Sequence, residues 1–257
     1  MNGSLCFFAK KGTNSMSKKF NLNSAKLIVC CLGTIVIYAV MGLQNAKAAT
    51  DENGGWATFI LTGPIGDSQK KGRWHWWLDG QYRYLNTDTG RKQTLIRPAI
   101  GYAANDKLKL WAGYAYLRLR RSGQETVNEN RLHQDAVWYL KAFNTSAVTL
   151  RSRLEQRWVN SSNDVGWRFR QLAILQSPFM SSPNFSLLLS EELFINLNDT
   201  EWGERSGFDE NRLFLGISYQ MNPATSFQIG YQNQLIDNYL ATDQMNHLAM
   251  LGMIVKF

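Results

Sequence analysis

The stretch Ala147-Val-Thr-Leu-Arg-Ser-Arg-Leu-Glu-Gln-Arg-Trp-Val159 alternates between two kinds of side chain. Its odd positions from 149 to 157 are all polar or charged: Thr149, Arg151, Arg153, Glu155 and Arg157. Four of its even positions are apolar: Val148, Leu150, Leu154 and Trp158. Because side chains alternate across a β-strand, this period of two predicts a strand with one polar and one apolar face.

The same alternation recurs along the chain between turn-forming residues. The further segments are Trp74 to Leu85, Lys92 to Ala103, Lys107 to Leu119, Arg131 to Phe143, Trp167 to Gln176, Phe185 to Leu197, Glu210 to Met221, Thr225 to Ile236 and Met245 to Phe257. They exceed the five or six residues of an ordinary strand and match the 9–11 residues of a tilted transmembrane strand. We therefore predict an all-β, antiparallel up-and-down transmembrane barrel of about ten strands. The apolar segment Trp56 to Leu61 precedes the first of them and is an eleventh piece, a periplasmic cap, or half of a hairpin that makes twelve strands, the main alternative.

The connections between these segments alternate in length. Short turns occur at 104–106, 144–146 and 221–224, with 177–184 a longer member of this set. The intervening links, such as 120–130 and 198–209, are longer and polar. Outer-membrane barrels have short periplasmic turns and longer external loops. The pattern predicts ten strands with both ends of the barrel domain on the periplasmic side.

The N-terminus has the features of an export signal. Lysines lead into a 15-residue apolar run, Leu27 to Met41, which is shorter than the ~20 residues of a spanning helix. Ala46-Lys47-Ala48 then supplies small residues for cleavage. We predict a signal peptide over 1–48, cleaved after Ala48, and a single barrel domain over 49–257. An uncleaved membrane anchor is the alternative, and Met16 is a second candidate start.

Cleavage would change the composition of the chain. Residues 1–48 contain six lysines, no arginine and no acid, so 22 basic and 20 acidic residues would remain. The basic character therefore gives no reason to expect nucleic-acid binding. All three cysteines also lie in this segment, so the exported chain would need no disulfides. No zinc spacing or phosphate-binding loop is present, and we predict no cofactor and no metal.

The last strand ends on an aromatic residue. Gly252, Val255 and Phe257 have the spacing of a C-terminal signal that the outer-membrane assembly machinery recognises. These residues, together with the export signal, predict the outer membrane of a Gram-negative bacterium. Its lipid and lipopolysaccharide would be the partners, with the basic cluster Arg118, Arg120 and Arg121 near the lipopolysaccharide phosphates.

The position of the aromatic residues favours lipid on the apolar face. On the predicted strand directions, one group lies near each end of the strands: Trp74, Tyr102, Phe185, Tyr219, Phe227 and Phe257 at the periplasmic end, and Tyr84, Tyr116, Trp158 and Trp167 at the outer end. Two aromatic girdles are typical of membrane interfaces. A soluble exported barrel is the alternative. Gln171, Glu191 and Asn233 are polar exceptions on the predicted lipid face.

The predicted inner face is rich in charge: Arg83, Arg97, Arg131, Arg151, Arg153, Glu155, Arg157, Arg168, Arg170, Glu192 and Arg212. Unpaired charges in a low-dielectric lumen are costly, so we expect cross-strand ion pairs. In one interpretation these charges are structural and fill the barrel. In the other, the excess of arginine lines a narrow pore that prefers small acidic solutes.

A barrel enzyme of the lipase or protease type is a further hypothesis. Such a site needs a histidine near an acid. His133 and Asp135 fall on the same predicted inner face, near the outer rim. The acids of the loop from Asn198 to Asp209, including Glu204, are interpreted as solvated.

Several short strings together suggest a family. Arg153 to Trp158 matches R-L-E-x-R-W, and Arg168-Phe-Arg170, Glu191 to Asn196 and Glu210 to Leu213 follow. Together with Gly230-Tyr231 and the C-terminal residues, they resemble the exported bacterial proteins grouped as domain of unknown function 2490. The resemblance covers nearly all of 49–257. It implies an outer-membrane-like barrel without an established activity, so it transfers no functional residues.

Overall fold

A computed structural model describes residues 49–66, 72–87, 90–141, 146–179, 182–239 and 242–257. The predicted signal peptide, 1–48, lies outside the described residues. Within them the chain forms these strands: β1 (Ala49–Pro64), β2 (Trp74–Leu85), β3 (Arg91–Asn105), β4 (Leu108–Arg120), β5 (Val127–Lys141), β6 (Ala147–Val159), β7 (Gly166–Phe179), β8 (Ser182–Asn196), β9 (Gly207–Gln220), β10 (Thr225–Ile236) and β11 (Asp243–Lys256). These same parts of the chain contain no helix long and apolar enough to cross a bilayer.

The strands close into a barrel. Each strand pairs antiparallel with the next along the chain, and β1 pairs in parallel with β11. The all-β, up-and-down architecture is thus confirmed, but the predicted count of ten is wrong, and so is twelve. The described residues form eleven strands, because Trp56 to Leu61 belongs to a full strand of 16 residues.

An odd strand number changes where the chain begins and ends. The links 86–90, 121–126, 160–165, 197–206 and 237–242 lie at one end of the barrel, here called the loop end. The links 65–73, 106–107, 142–146, 180–181 and 221–224 connect strands at the other end, here called the turn end. Because β1 and β11 run in the same direction, Ala49 lies at the loop end and Phe257 at the turn end. The expectation that both ends of the domain share one side is therefore wrong.

The other ten strands lie where the alternation predicted them. The bounds of β2, β6 and β10 match the prediction residue for residue. The long predicted link at 177–184 is instead mostly strand, since β7 continues to Phe179 and β8 begins at Ser182. Only 180–181 separate these two strands, so this connection is two residues long, like the link 106–107 at the same end.

The outward face of the barrel is apolar. Large exposed side chains lie at alternate positions in the middle of the strands: Ile96, Ile100, Leu132, Leu187, Leu189, Leu213, Leu215, Ile217, Ile229 and Leu251. Aromatic pairs lie near the turn end, where the ring of Trp74 is 5.1 Å from that of Tyr102 and Phe185 is 4.9 Å from Tyr219. Toward the loop end, the hydroxyl of Tyr116 donates to Asn128 at 2.9 Å.

The polar exceptions on the outward face have partners on adjacent strands. Gln171 accepts a hydrogen bond from the Ser152 hydroxyl at 2.6 Å. Glu191 accepts one from the Asn211 amide at 3.1 Å. Satisfied hydrogen bonds lower the cost of placing these groups in an apolar environment, so they do not contradict an apolar outer face.

The parallel closure can be tested with a disulfide. Ala57 and Leu251 are direct partners across β1 and β11 and both point outward. With the three native cysteines replaced by serine, the pair Ala57→Cys and Leu251→Cys should cross-link, as shown by migration on a non-reducing gel. The pair Ala57→Cys and Ala249→Cys, offset by two residues and roughly 8 Å apart, should not. Cross-linking of the offset pair alone would contradict this register.

Candidate functional site

The lumen holds the eleven charged residues that the alternation placed inside. Nine line a cavity in it: Arg83, Arg97, Arg131, Arg151, Arg157, Arg168, Arg170, Glu192 and Arg212. Arg153 and Glu155 lie buried beside it. The structure brings most of them into one ion-pair network across β5 to β9.

Glu155 is the central carboxylate of this network, and it is 1% exposed. Arg168 donates to one of its oxygens at 2.8 Å, and Arg170 donates to the other at 2.7 Å. Arg153 lies 3.6 Å away. Arg131 on β5 lies 4.0 Å away, so one carboxylate meets four guanidinium groups, from its own strand and from both neighbouring strands.

Two further carboxylates extend the network in opposite directions. Asp135 on β5 accepts two hydrogen bonds from Arg153, at 2.6 and 2.7 Å. Glu192 on β8 accepts from Arg170 at 2.7 Å and from Arg151 at 2.6 Å. Two-point contacts of this kind use the planar fork of the guanidinium group and fix its orientation.

Toward the loop end, Glu129 connects two more arginines. Arg131 donates to both of its oxygens, at 2.8 and 2.7 Å, and Arg157 donates at 2.5 Å. Arg157 also lies 3.1 Å from Glu204, in the link between β8 and β9. Glu204, predicted to be a solvated loop residue, is therefore part of the lumen.

A β-bulge adds a carboxylate that the alternation does not predict. Phe194 pairs with Glu210 and Ile195 pairs with Phe208, which leaves Asp209 as the extra residue of β9. Asp209 and Glu210 consequently both line the cavity, although they are adjacent in sequence. Asp209 accepts a hydrogen bond from Arg168 at 2.9 Å.

Aromatic rings complete the arrangement. The side chain of Phe194 is fully buried, and the guanidinium carbons of Arg170 and Arg212 lie 4.4 Å from its ring centroid. Arg83 lies 3.4 Å from the ring centroid of Trp56. Such cation–π contacts hold charged groups in place where water is scarce.

The middle of the lumen is packed with side chains. Every strand contributes at least one buried inward residue: Trp56, Asp79, Arg97, Ala115, His133, Arg153, Arg170, Phe194, Phe214, Gln232 and Leu248, from β1 to β11 in order. The charged network therefore belongs to a layer of buried side chains, here called the closed layer.

Above this layer, toward the loop end, lies a cavity of about 460 Å³. Its walls include ten arginines and only five carboxylates. One side is the ion-pair network, and the opposite side is formed by β2, β3 and β4.

The residues of the enzyme hypothesis do meet. His133 Nδ1 lies 3.3 Å from Asp135, but Asp135 is already bound by Arg153. The ring is 2% exposed and lies at mid-height rather than near the predicted rim. It packs so closely on β4 that a Cβ at Gly113 would lie 2.4 Å from its Nε2. This packing leaves no room for a nucleophile beside Nε2.

The predicted assembly residues lie at the turn end. Gly252 and Val255 are in β11, and Phe257 follows it. The Phe257 amide donates to the Thr62 carbonyl at 2.9 Å, and its largely exposed ring lies 5.6 Å from that of Trp76. Within the described ranges, no cluster of three or more acidic, histidine or cysteine residues could hold a metal ion.

Glu155 provides a direct test of the network. Replacing it with glutamine would leave buried arginines without their counter-charge, so we expect a loss of about 3–5 kcal/mol of stability. Urea unfolding of the detergent-solubilised barrel measures this loss. Glu125→Gln, at an exposed loop position, should shift stability by no more than about 0.5 kcal/mol. Equal effects of the two substitutions would contradict the central role of Glu155.

Comparisons with known proteins agree with this description. An uncharacterized protein of Methylorubrum extorquens is 32% identical over 203 residues, covering 79% of this chain and 86% of its own. The crystal structure of the siderophore receptor PirA from Pseudomonas aeruginosa matches 77% of this chain but 40% of the receptor, with 14% identity. Its TM-score of 0.27 is too low to support an argument. The family described as "Protein of unknown function (DUF2490)" matches residues 53–246, so the predicted resemblance is confirmed and the chain belongs to this family.

Proposed function

We propose that this chain is an integral β-barrel of the outer membrane of a Gram-negative bacterium, structural in role, with a lumen that ions do not cross. Residues 1–48 would be its signal peptide, removed after Ala48. The observation that carries the proposal is the closed layer of charged and aromatic side chains at mid-height of the barrel.

The distribution of side chains supports insertion in a bilayer. Aliphatic side chains occupy the middle of the outward face, aromatic residues lie toward both ends, and charged groups face inward. A soluble barrel would have the opposite distribution. A closed barrel also leaves no unpaired strand edge in lipid, and strands of 12 to 16 residues are long enough to cross.

The proposed partners follow from this location. Lipid would surround the outward face, and lipopolysaccharide would lie near the loop end, where Arg118 and Arg120 are exposed. The exposed Phe257, with Val255 and Gly252, would serve as the recognition signal for the assembly machinery.

One observation favours a second candidate function, a narrow pore for small acidic solutes. The cavity above the closed layer has twice as many arginines as carboxylates in its wall. Rings of basic side chains select anions. This function would require a continuous path through the closed layer, whose side chains are buried.

Membrane insertion predicts an unusual response to a surface substitution. The side chain of Leu215 is 52% exposed at mid-height of the barrel. Replacing it with arginine should therefore lower the free energy of unfolding in a bilayer by about 2–4 kcal/mol. Folding into lipid vesicles, followed by heat-modifiable gel migration, measures the loss. Met221→Arg, at a 60% exposed position in a turn, should fold normally. A Leu215→Arg protein that folds and stays dissolved in buffer without detergent would contradict insertion.

The closed lumen predicts no single-channel conductance in planar bilayers. The double variant Asp135→Ser with Arg153→Ser removes one ion pair of the closed layer without changing net charge, and should create conducting steps. Gln134→Ser with Gln156→Ser removes a hydrogen-bonded outward pair on the same strands and should stay silent. Sustained current through the unaltered protein would overturn the proposal. Reversal potentials would then decide whether the pore prefers anions.

A further inference from the structure

Three arginines of the outer cavity differ from the others. Arg83, Arg91 and Arg121 line its wall, yet none forms an ion pair with a carboxylate among the described residues. The guanidinium of Arg83 donates to the Gln81 side chain at 2.8 Å. Arg121 donates to the Gln124 side chain at 3.4 Å. The remaining cavity arginines each face at least one carboxylate.

The surroundings of Arg83 increase this local excess of positive charge. The charged groups that act on it most strongly are Arg212, Glu210, Arg131 and Arg170. Glu210 is already engaged, because it accepts hydrogen bonds from both Arg212 and Gln234. Among charged groups, Arg121 likewise acts on Arg91 more strongly than Glu210 does. The cavity therefore has positive charge that its own carboxylates do not neutralise.

An apolar surface lies beside these arginines. Leu85, Leu95 and Leu117 are buried on β2, β3 and β4 and line the same cavity. Leu119 and Val127 continue this surface toward the loop end. These leucines take no part in the ion-pair network. Their side chains can therefore contact an apolar part of a ligand.

We propose that this cavity is a binding site for a small organic anion with a phosphate or carboxylate group next to an apolar body. Arg83, Arg91 and Arg121 contact the anionic group, and the leucines of β2 to β4 contact the apolar part. Guanidinium groups pair well with both oxyanions. A volume of about 460 Å³ lies within the usual range for small-molecule sites.

The site goes beyond the proposed structural role and does not depend on the lumen being closed below it. Binding can be measured in detergent, whereas closure is measured as conductance. The absence of binding would therefore leave the structural proposal intact, and an open pore would leave the binding site intact.

Isothermal titration calorimetry of the full chain in dodecyl maltoside tests the site, with phenyl phosphate as the probe. We expect saturable binding of one phenyl phosphate per chain and weaker binding of inorganic phosphate, which lacks the apolar part. Benzyl alcohol and benzylammonium should not bind. Dihexanoyl phosphatidic acid tests a lipid as the source of the phosphate, and tighter binding of this lipid than of phenyl phosphate would overturn the small-molecule assignment.

Two arginine variants and one matched control make the test specific. Arg83→Gln and Arg121→Gln should each weaken phenyl phosphate binding about tenfold, the usual scale for losing a charged hydrogen bond. Lys92→Gln removes one positive charge from the same end of β3, next to Arg91, but Lys92 is exposed and points outward, so affinity should change less than twofold. Leu119→Ala should weaken phenyl phosphate but not inorganic phosphate.

Folding of each variant is checked by heat-modifiable migration. If Arg83→Gln does not fold, Arg121→Gln, beyond the end of β4, gives the result alone. No binding of any anion would overturn the proposal. Equal binding of benzyl alcohol, or an equal loss in Lys92→Gln, would overturn it as well.

Discussion

The barrel depends on the pairing of guanidinium groups with carboxylates in the buried middle of the lumen. A buried charge without a partner costs several kcal/mol, and most of the charges in this layer are matched. Arginine suits this task because one side chain can contact two acids at once. Arg168 connects Glu155 with Asp209, Arg157 connects Glu129 with Glu204, and Arg170 connects Glu155 with Glu192. The network thus joins neighbouring strands through side chains as well as through backbone hydrogen bonds.

Most strands could be predicted from the sequence because period-two alternation is a local property. β6 shows it clearly, with Arg151, Arg153, Glu155 and Arg157 on one face, and its predicted bounds match the structure. β1 could not be predicted in the same way. Gly54 and Gly55 interrupt its early part, and neutral residues such as Thr58 and Ile60 point inward. The contrast between its two faces is therefore weak. Its pairing with β11, nearly two hundred residues away, has no local signal at all.

The inner charges could be predicted because they follow the same alternation. Their partners could be predicted only in part. Asp209 reaches the lumen through a bulge, and Glu204 reaches it from a loop, so neither follows a strand period. Arg83, Arg91 and Arg121 form a group only when β2, β3 and the end of β4 come together. Sequence alternation predicted Arg83 inside, but it assigned Arg91 and Arg121 to links.

The parallel contact between β1 and β11 has a consequence for how the chain acquires its structure. Ala49 lies opposite Asp243, whereas the other strand pairs join neighbours along the chain. Contacts between distant parts of a chain form slowly, because a large loss of chain entropy precedes the favourable free energy of the contacts. Parallel pairing is also slightly weaker per residue than antiparallel pairing. The hairpins from β2 to β11 can therefore assemble first as a curved sheet, and the rate of acquiring the native state would be set by the final joining of its two edges through β1.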